Sequence, residues 1–288
     1  MTICLALLSS LLWGVADFSG GKAARERPAL VVVFVSQAVG LLVAVVAALV
    51  AGSFSDPVGY LPWAITAGLA GALAVVLFYR ALAIGTMGVV APLAALGVVV
   101  PVVLGLLGGA RPSLLCLAGI VVAVVGVTVA ARPGRTAVPR PDGHALSIVL
   151  ALGAALGFGL LQYAISGGSA YSTTMTMVAM RASSVPVLAL VTMVTLRRAG
   201  RNRSGRARMG RSLLLMIVAV GILDVSANLM FGLATLSGQL PVVAVLGSLY
   251  PAVTVLMARV VDHERLSRVQ DLGVVAAVAG VAMIAAGS

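Results

Sequence analysis

The sequence predicts an all-α integral membrane protein: ten transmembrane helices arranged as two inverted five-helix repeats. Three observations carry this. Of 288 residues, 61% are hydrophobic and only 9% charged, too little charge to cover a soluble surface. The apolar residues fall in long continuous runs such as Leu30–Ala51, which suit helices and not the short alternating segments of a barrel. An ordered set of glycines and prolines also recurs in the two halves.

A span needs about 20 apolar residues. Ten stretches qualify: 3–19, 29–51, 61–80, 87–108, 113–131, 145–166, 171–196, 212–235, 240–259 and 269–287. "GSFSDPVGY", "ARPS", "RRAGRNRSGRARMGR" and "DHERLSR" separate them, and the Pro-rich 132–144 divides the chain near its middle. The predicted organisation is a first repeat over 1–131, a linker over 132–144 and a second repeat over 145–288. Met1–Ser19 is apolar from the start with no basic residues before it. It reads as a first helix with its N-terminus outside, not a cleavable signal.

The formal charge of +11 comes almost wholly from arginine. Counting loops from the first helix, odd loops hold Lys22, Arg25 and Arg27, then Arg132–Arg140, the seven arginines of 197–211, and Arg259, Arg265 and Arg268. Even loops hold only Arg111. The positive-inside rule then places odd loops in the cytoplasm of a cell's inner or plasma membrane, with both termini outside. This explains the basic charge without nucleic acid. Cys4 and Cys116 lie in apolar runs without metal or disulfide spacing, and His144 and His263 read as solvated.

The repeat is read from residues that lipid solubility does not dictate. Gly97 and Pro101 of "LGVVVP" align with Gly247 and Pro251 of "LGSLYP". Gly119 and Gly126 align with Gly273 and Gly280, "WGVADF" with "FGLLQY", and "SQAVGLL" loosely with "MRASSVP". Five spans per half, an odd number, require the second copy to be inserted upside down, with a site near the midplane between the copies.

These motifs resemble the EamA family of the drug/metabolite transporter superfamily. The resemblance rests on Trp13–Gly14, "FYRALAIGTMGVVAP", the paired "LG…P" segments, and "DHERLSRVQDLGVVAAVAGV" with Glu264, Arg265, Gln270, Gly273 and Gly280 in the signature places. The first half departs from it, with Ala110 where the acid belongs, followed by Arg111–Pro112. The resemblance implies a secondary-active transporter that exports a small polar metabolite, such as an amino acid, by alternating access. It implies no cofactor. Proton or ion coupling is part of the same expectation.

Ionisable groups inside a span are costly, so each is a candidate for substrate recognition or coupling. Asp17, late in the first span, is one; its repeat partner is Gln162. The alternative for Asp17 is interfacial pairing with Lys22 or Arg25. Asp224 sits midway along the eighth span with Asn228 one turn on. It could bind a cationic group or carry a coupling proton. Arg181, whose partner is Gln37, could clamp a carboxylate or phosphate, or simply pair with Asp224 or Asp17. Trp13 completes the set. Arg80 reads chiefly as an interfacial anchor. Pro92, Pro101, Pro241 and Pro251 are candidates for helix gating, and the Gly153/Gly157/Gly159 face suits close helix packing. Glu264 would secure the last loop. The expected cavity is lined by spans one, three, four, six, eight and nine. No phosphate loop, metal cluster or nucleophile–base pair is visible, which argues against an ATP-driven pump and against an intramembrane enzyme acting on lipid-linked substrates. A non-transporting subunit whose charges only pair with one another remains the other alternative.

Overall fold

The computed structural model describes residues 1–85, 87–130, 144–198, 210–261 and 268–287. The linker 132–144 up to its last residue, most of the arginine-rich stretch after α8, and the Glu264 loop lie outside the described residues. Every regular element among the described residues is helical. The first half comprises α1 (Thr2–Glu26), α2 (Ala29–Ala51), α3 (Leu61–Ile84), α4 (Met87–Ala95), α5 (Val99–Leu107) and α6 (Leu114–Ala130). The second comprises α7 (His144–Ser169), α8 (Thr173–Arg198), α9 (Arg211–Ser237), α10 (Leu240–Gly247), α11 (Tyr250–Val261) and α12 (Arg268–Gly287).

Six helices are each long and apolar enough to cross a bilayer: α1, α2, α3, α7, α8 and α9. The apolar stretches 87–108 and 240–259, expected as single spans, are instead each broken in two. In the first, a 3-10 turn over Leu96–Val98 separates α4 from α5; in the second, α10 ends at Gly247 and α11 restarts at Tyr250. The breaks fall at Gly97 and Gly247, the two glycines that the repeat aligns. Pro101, Pro241 and Pro251 sit in the first turns of α5, α10 and α11. There the missing N–H is an orphan anyway. These prolines begin helices instead of bending them. Pro92 lies within α4, and Pro186 lies inside an unbroken α8.

Each half packs against the other through exchanged partners. α3 packs on α7, and α9 on α1; α3 packs on α8, and α9 on α2; α4 meets α7, and α10 meets α1. α2 with α8 and α6 with α12 are self-paired. This is the pattern of a pseudo-two-fold relation that maps α1–α6 onto α7–α12. It extends to single residues. A Cβ added to Gly68 of α3 would strike the Met180 carbonyl oxygen and Ser183; one added to Gly221 of α9 would strike the Ser36 carbonyl oxygen and Val39. Met180 and Ser183 are the repeat equivalents of Ser36 and Val39. Gly14 lies on Tyr250 and Val253, and Gly159 on Gly97 and Val100; these contacts match Gly97 with Tyr250, one turn on from the Gly247 that the sequence alignment sets against it.

The small-residue face of α7 does the packing work its spacing suggests. Gly157 lies against Ala70 and Ala74 of α3, Gly153 near Leu77, and Gly159 against the break at Gly97. Elsewhere large apolar side chains such as Leu42, Leu73, Leu156 and Leu215 are exposed, as a lipid-facing surface requires.

Arg80 is exposed near the end of α3, which runs on one turn to Ile84 before Gly85 adopts an extended backbone. Replacing Arg80 by alanine is expected to leave both stability and transport within about twofold of wild type, since its stem only snorkels. Melting in detergent and flux in vesicles check this.

Candidate functional site

A narrow cleft, with a cavity volume of about 30 Å³, lies between the two halves. Seven of the eight substrate or coupling candidates line it: Trp13 and Asp17 of α1, Gln37 of α2, Gln162 of α7, Arg181 of α8, and Asp224 and Asn228 of α9. Arg80 does not. The wall is completed by Gly71 and Val75 of α3, Phe158 and Leu161 of α7, and Tyr250 of α11. α2 and α8, absent from the expected lining, therefore contribute its central charge and its partner. No described residue of α4 or α5 reaches this wall.

The reason these residues meet is the pseudo-two-fold. Asp17 and its equivalent Gln162 both line the cleft, Gln37 accepts from its equivalent Arg181, and Trp13 is matched by Phe158. The packing equivalence of Gly68 with Gly221 further pairs Gly71 with Asp224 and Val75 with Asn228. The cleft thus lies on the pseudo-axis, and both charged members contributed by α8 and α9 replace neutral residues of the first half. The rings repeat the pattern: Phe78 meets Phe158 with centroids 5.5 Å apart, and Phe231 meets Trp13 at 5.6 Å. Tyr250 breaks it, stacking edge-on against both Phe158 and Phe78 at 6.5 and 6.4 Å.

Arg181 is the hub. Its Nη2 donates to Asp224 Oδ2 at 2.6 Å, and its Nη1 donates to Gln37 Oε1 across the repeat interface. Its side chain is 5% exposed, against 21% for Asp224. A guanidinium so buried must have its charge matched, because desolvation without a partner costs several kcal/mol. Asn228 Nδ2 donates back to the Asp224 carbonyl at 2.6 Å and to Oδ1 at 3.2 Å. Ser184 Oγ lies 3.3 Å from the Arg181 carbonyl and 3.5 Å from Gln37 Oε1. On the other wall Gln162 Nε2 donates to Ser248 Oγ at 3.3 Å, the serine sitting in the α10–α11 break.

Asp17 differs from Asp224. It is 9% exposed and neither hydrogen-bonded nor ion-paired with another described residue. The alternative of an interfacial pair with Lys22 is not what the structure shows for Asp17; the Lys22 ammonium lies 5.3 Å over the Phe18 ring. Four polar atoms of cleft residues are buried without a hydrogen bond to another described residue: Gln162 Oε1, Asn228 Oδ1, the Tyr250 hydroxyl and Arg181 Nε.

Tyr250, Phe158, Gly71 and Val75 were not among the sequence candidates. Phe158 was legible as the equivalent of Trp13, and Tyr250 as the residue before the aligned Pro251. Gly71 and Val75 carry no chemical signal of their own.

Apolar helices enclosing a polar, ion-paired cleft between two matched halves define a multipass membrane protein of transporter type. The model of the EamA-like transporter family matches residues 1–132 and 145–286, nearly the whole chain in two copies. The protein belongs to the EamA-like transporter family. A crystal structure of a protein aligns with a TM-score of 0.74 over 98% of this chain and 95% of that one, at 17% identity; at that distance the likeness is one of fold. No curated protein matches the chain.

Proposed function

We propose that the protein is a secondary-active transporter that moves a small polar metabolite, such as an amino acid or a related compound, by alternating access, in the direction of export. The two halves, 1–131 and 145–288, act as inverted five-span repeats joined by 132–144, with the broken pairs α4–α5 and α10–α11 each serving as one span. They rock about the cleft on their pseudo-axis. The arginine distribution supports a cytoplasmic placement of the odd loops in an inner or plasma membrane, with both termini outside. Pro92, Pro101, Pro241 and Pro251 mark the segments that hinge.

The observation that carries this reading is Asp17: a carboxylate in a cleft between the halves with no counter-charge paired to it among the described residues. A non-transporting subunit has no use for such a group. Arg181 and Asp224, which neutralise each other, fit either role. A proton or ion taken up by Asp17 would couple transport to a gradient.

Asp17→Asn is expected to reduce substrate flux in proteoliposomes by about tenfold or more and to abolish its response to a pH gradient, with melting little changed. Unaltered flux and unaltered gradient dependence in this variant would remove the coupling role. A metabolite comparison between overexpressing and deleted cells supplies the substrate for this assay.

A further inference from the structure

From the hydrogen-bond inventory of the cleft we infer that its ligand is recognised through a protonated amine, with Asp17 as counter-ion. This rests on the transporter reading and narrows it to a substrate class. The guanidinium, the natural clamp for a carboxylate, is engaged: both terminal nitrogens of Arg181 donate to Asp224 and Gln37. Its remaining Nε is directed at α2, where a Cβ on Gly40 would lie 3.4 Å from it.

The amides are oriented the same way. Asn228 turns its NH2 onto the Asp224 carbonyl and carboxylate, which can only accept, so its orientation is determined and Oδ1 is left over. Gln162 gives its NH2 to Ser248 and leaves Oε1. Of the groups left without a protein partner, the Asp17 carboxylate, Asn228 Oδ1 and Gln162 Oε1 only accept, the Tyr250 hydroxyl can accept or donate, and Arg181 Nε, the one pure donor, is buried against Gly40 of α2. Two aromatic rings flank them. Trp13 stands one turn before Asp17 on α1, and Phe158 one turn before Gln162 on α7, so each polar group is paired with a ring on the same helix face. Aromatic faces attract ammonium ions and offer nothing to a carboxylate. With Arg181 balanced by Asp224, the residual formal charge of the cleft is that of Asp17 alone. An alkylammonium bearing N–H donors satisfies the acceptors, the charge and the rings together. A carboxylate could meet only the Tyr250 hydroxyl, as its donor, and would be repelled by Asp17.

The chain has two tryptophans, and Trp63 lies outside the cleft, edge-on to Tyr163 at 5.7 Å. Trp63→Phe therefore makes Trp13 fluorescence a direct reporter in the full-length protein in detergent. n-Butylammonium should quench it saturably and raise the melting temperature of the wild-type protein. Butyrate at equal ionic strength should do neither. Butyltrimethylammonium, which lacks N–H donors, should bind more weakly than the amine. Asp17→Asn should weaken the amine by roughly 10- to 100-fold, the range for losing a charge-assisted hydrogen bond. Butyrate binding tighter than the amine, binding by none of the three probes, or amine binding indifferent to Asp17→Asn would each overturn the inference. Flux separates it from the broader reading. An amine that binds but does not cross leaves the site assignment standing without transport. A carboxylate carried in place of the amine leaves transport standing without this site assignment.

Discussion

Asp224→Ala is expected to destabilise the protein by about 3–5 kcal/mol, the penalty for leaving a buried charge without its partner. Arg181 is 5% exposed and sits between α2, α8 and α9. Gln37 cannot replace the lost carboxylate, because an amide oxygen matches one hydrogen bond but no charge. The same substitution frees Asn228 Nδ2 from one of its two acceptors. The melting temperature in detergent should drop sharply, and transport should fall with it. The double change Arg181→Met with Asp224→Leu removes both charges, and should recover much of the stability, since a buried pair replaced by packed apolar groups is often neutral or better. If transport returned together with stability, the pair would be purely architectural. If stability returned alone, the pair would also act in transport. Exchanging the two residues, Arg181→Asp with Asp224→Arg, makes the same distinction by another route.

The second large effect belongs to a glycine pair. Gly68→Val and Gly221→Val should each cost about 3 kcal/mol, the upper end of overpacking. In both cases the new Cβ would overlap a backbone carbonyl oxygen of the facing helix, Met180 in one and Ser36 in the other. A backbone cannot turn aside as a side chain can, so α3 must separate from α8, or α9 from α2. Because the pseudo-two-fold makes the sites equivalent, the two losses should be alike. Gly210→Ala, which meets nothing within 4 Å, should be close to neutral. Unequal losses at Gly68 and Gly221 would show that the two halves do not share one packing plan.

Much of this architecture was legible in the sequence, and for a definite reason. Lipid solubility constrains apolar positions only to be apolar, so Val, Leu and Ala say little about contacts. Gly14, Gly159, Gly97 and Gly247 are different. Each sits where two backbones approach or where a helix breaks, a requirement that survives in both copies. The charged candidates were legible because a span tolerates them only at an interior position. Partnership was legible only in part: Asp224 was one of the two acids open to Arg181 from the sequence, but the bond to Gln37 was not among the readings. That Arg181 reaches both Gln37 and Asp224 depends on α2 and α8 meeting at the pseudo-axis, a contact between residues 144 positions apart. The listing of cavity helices missed both for that reason. The breaks in the fourth and ninth spans were hidden as well, because their apolar composition is continuous. Hydropathy records composition along a line and has no term for where a helix stops and restarts.

Alternating access requires that the cleft on the pseudo-axis open in turn to the two sides of the membrane. Cysteine accessibility tests it most directly, since the only native cysteines are Cys4 and Cys116. In a Cys4→Ser, Cys116→Ser background, Val75→Cys places one thiol on the cleft wall opposite Asn228. A small membrane-impermeant thiol reagent should label it from either side of oriented vesicles, and a saturating transported substrate should slow both reactions. Labelling confined to one side, unchanged by substrate and by an imposed gradient, would contradict alternating access.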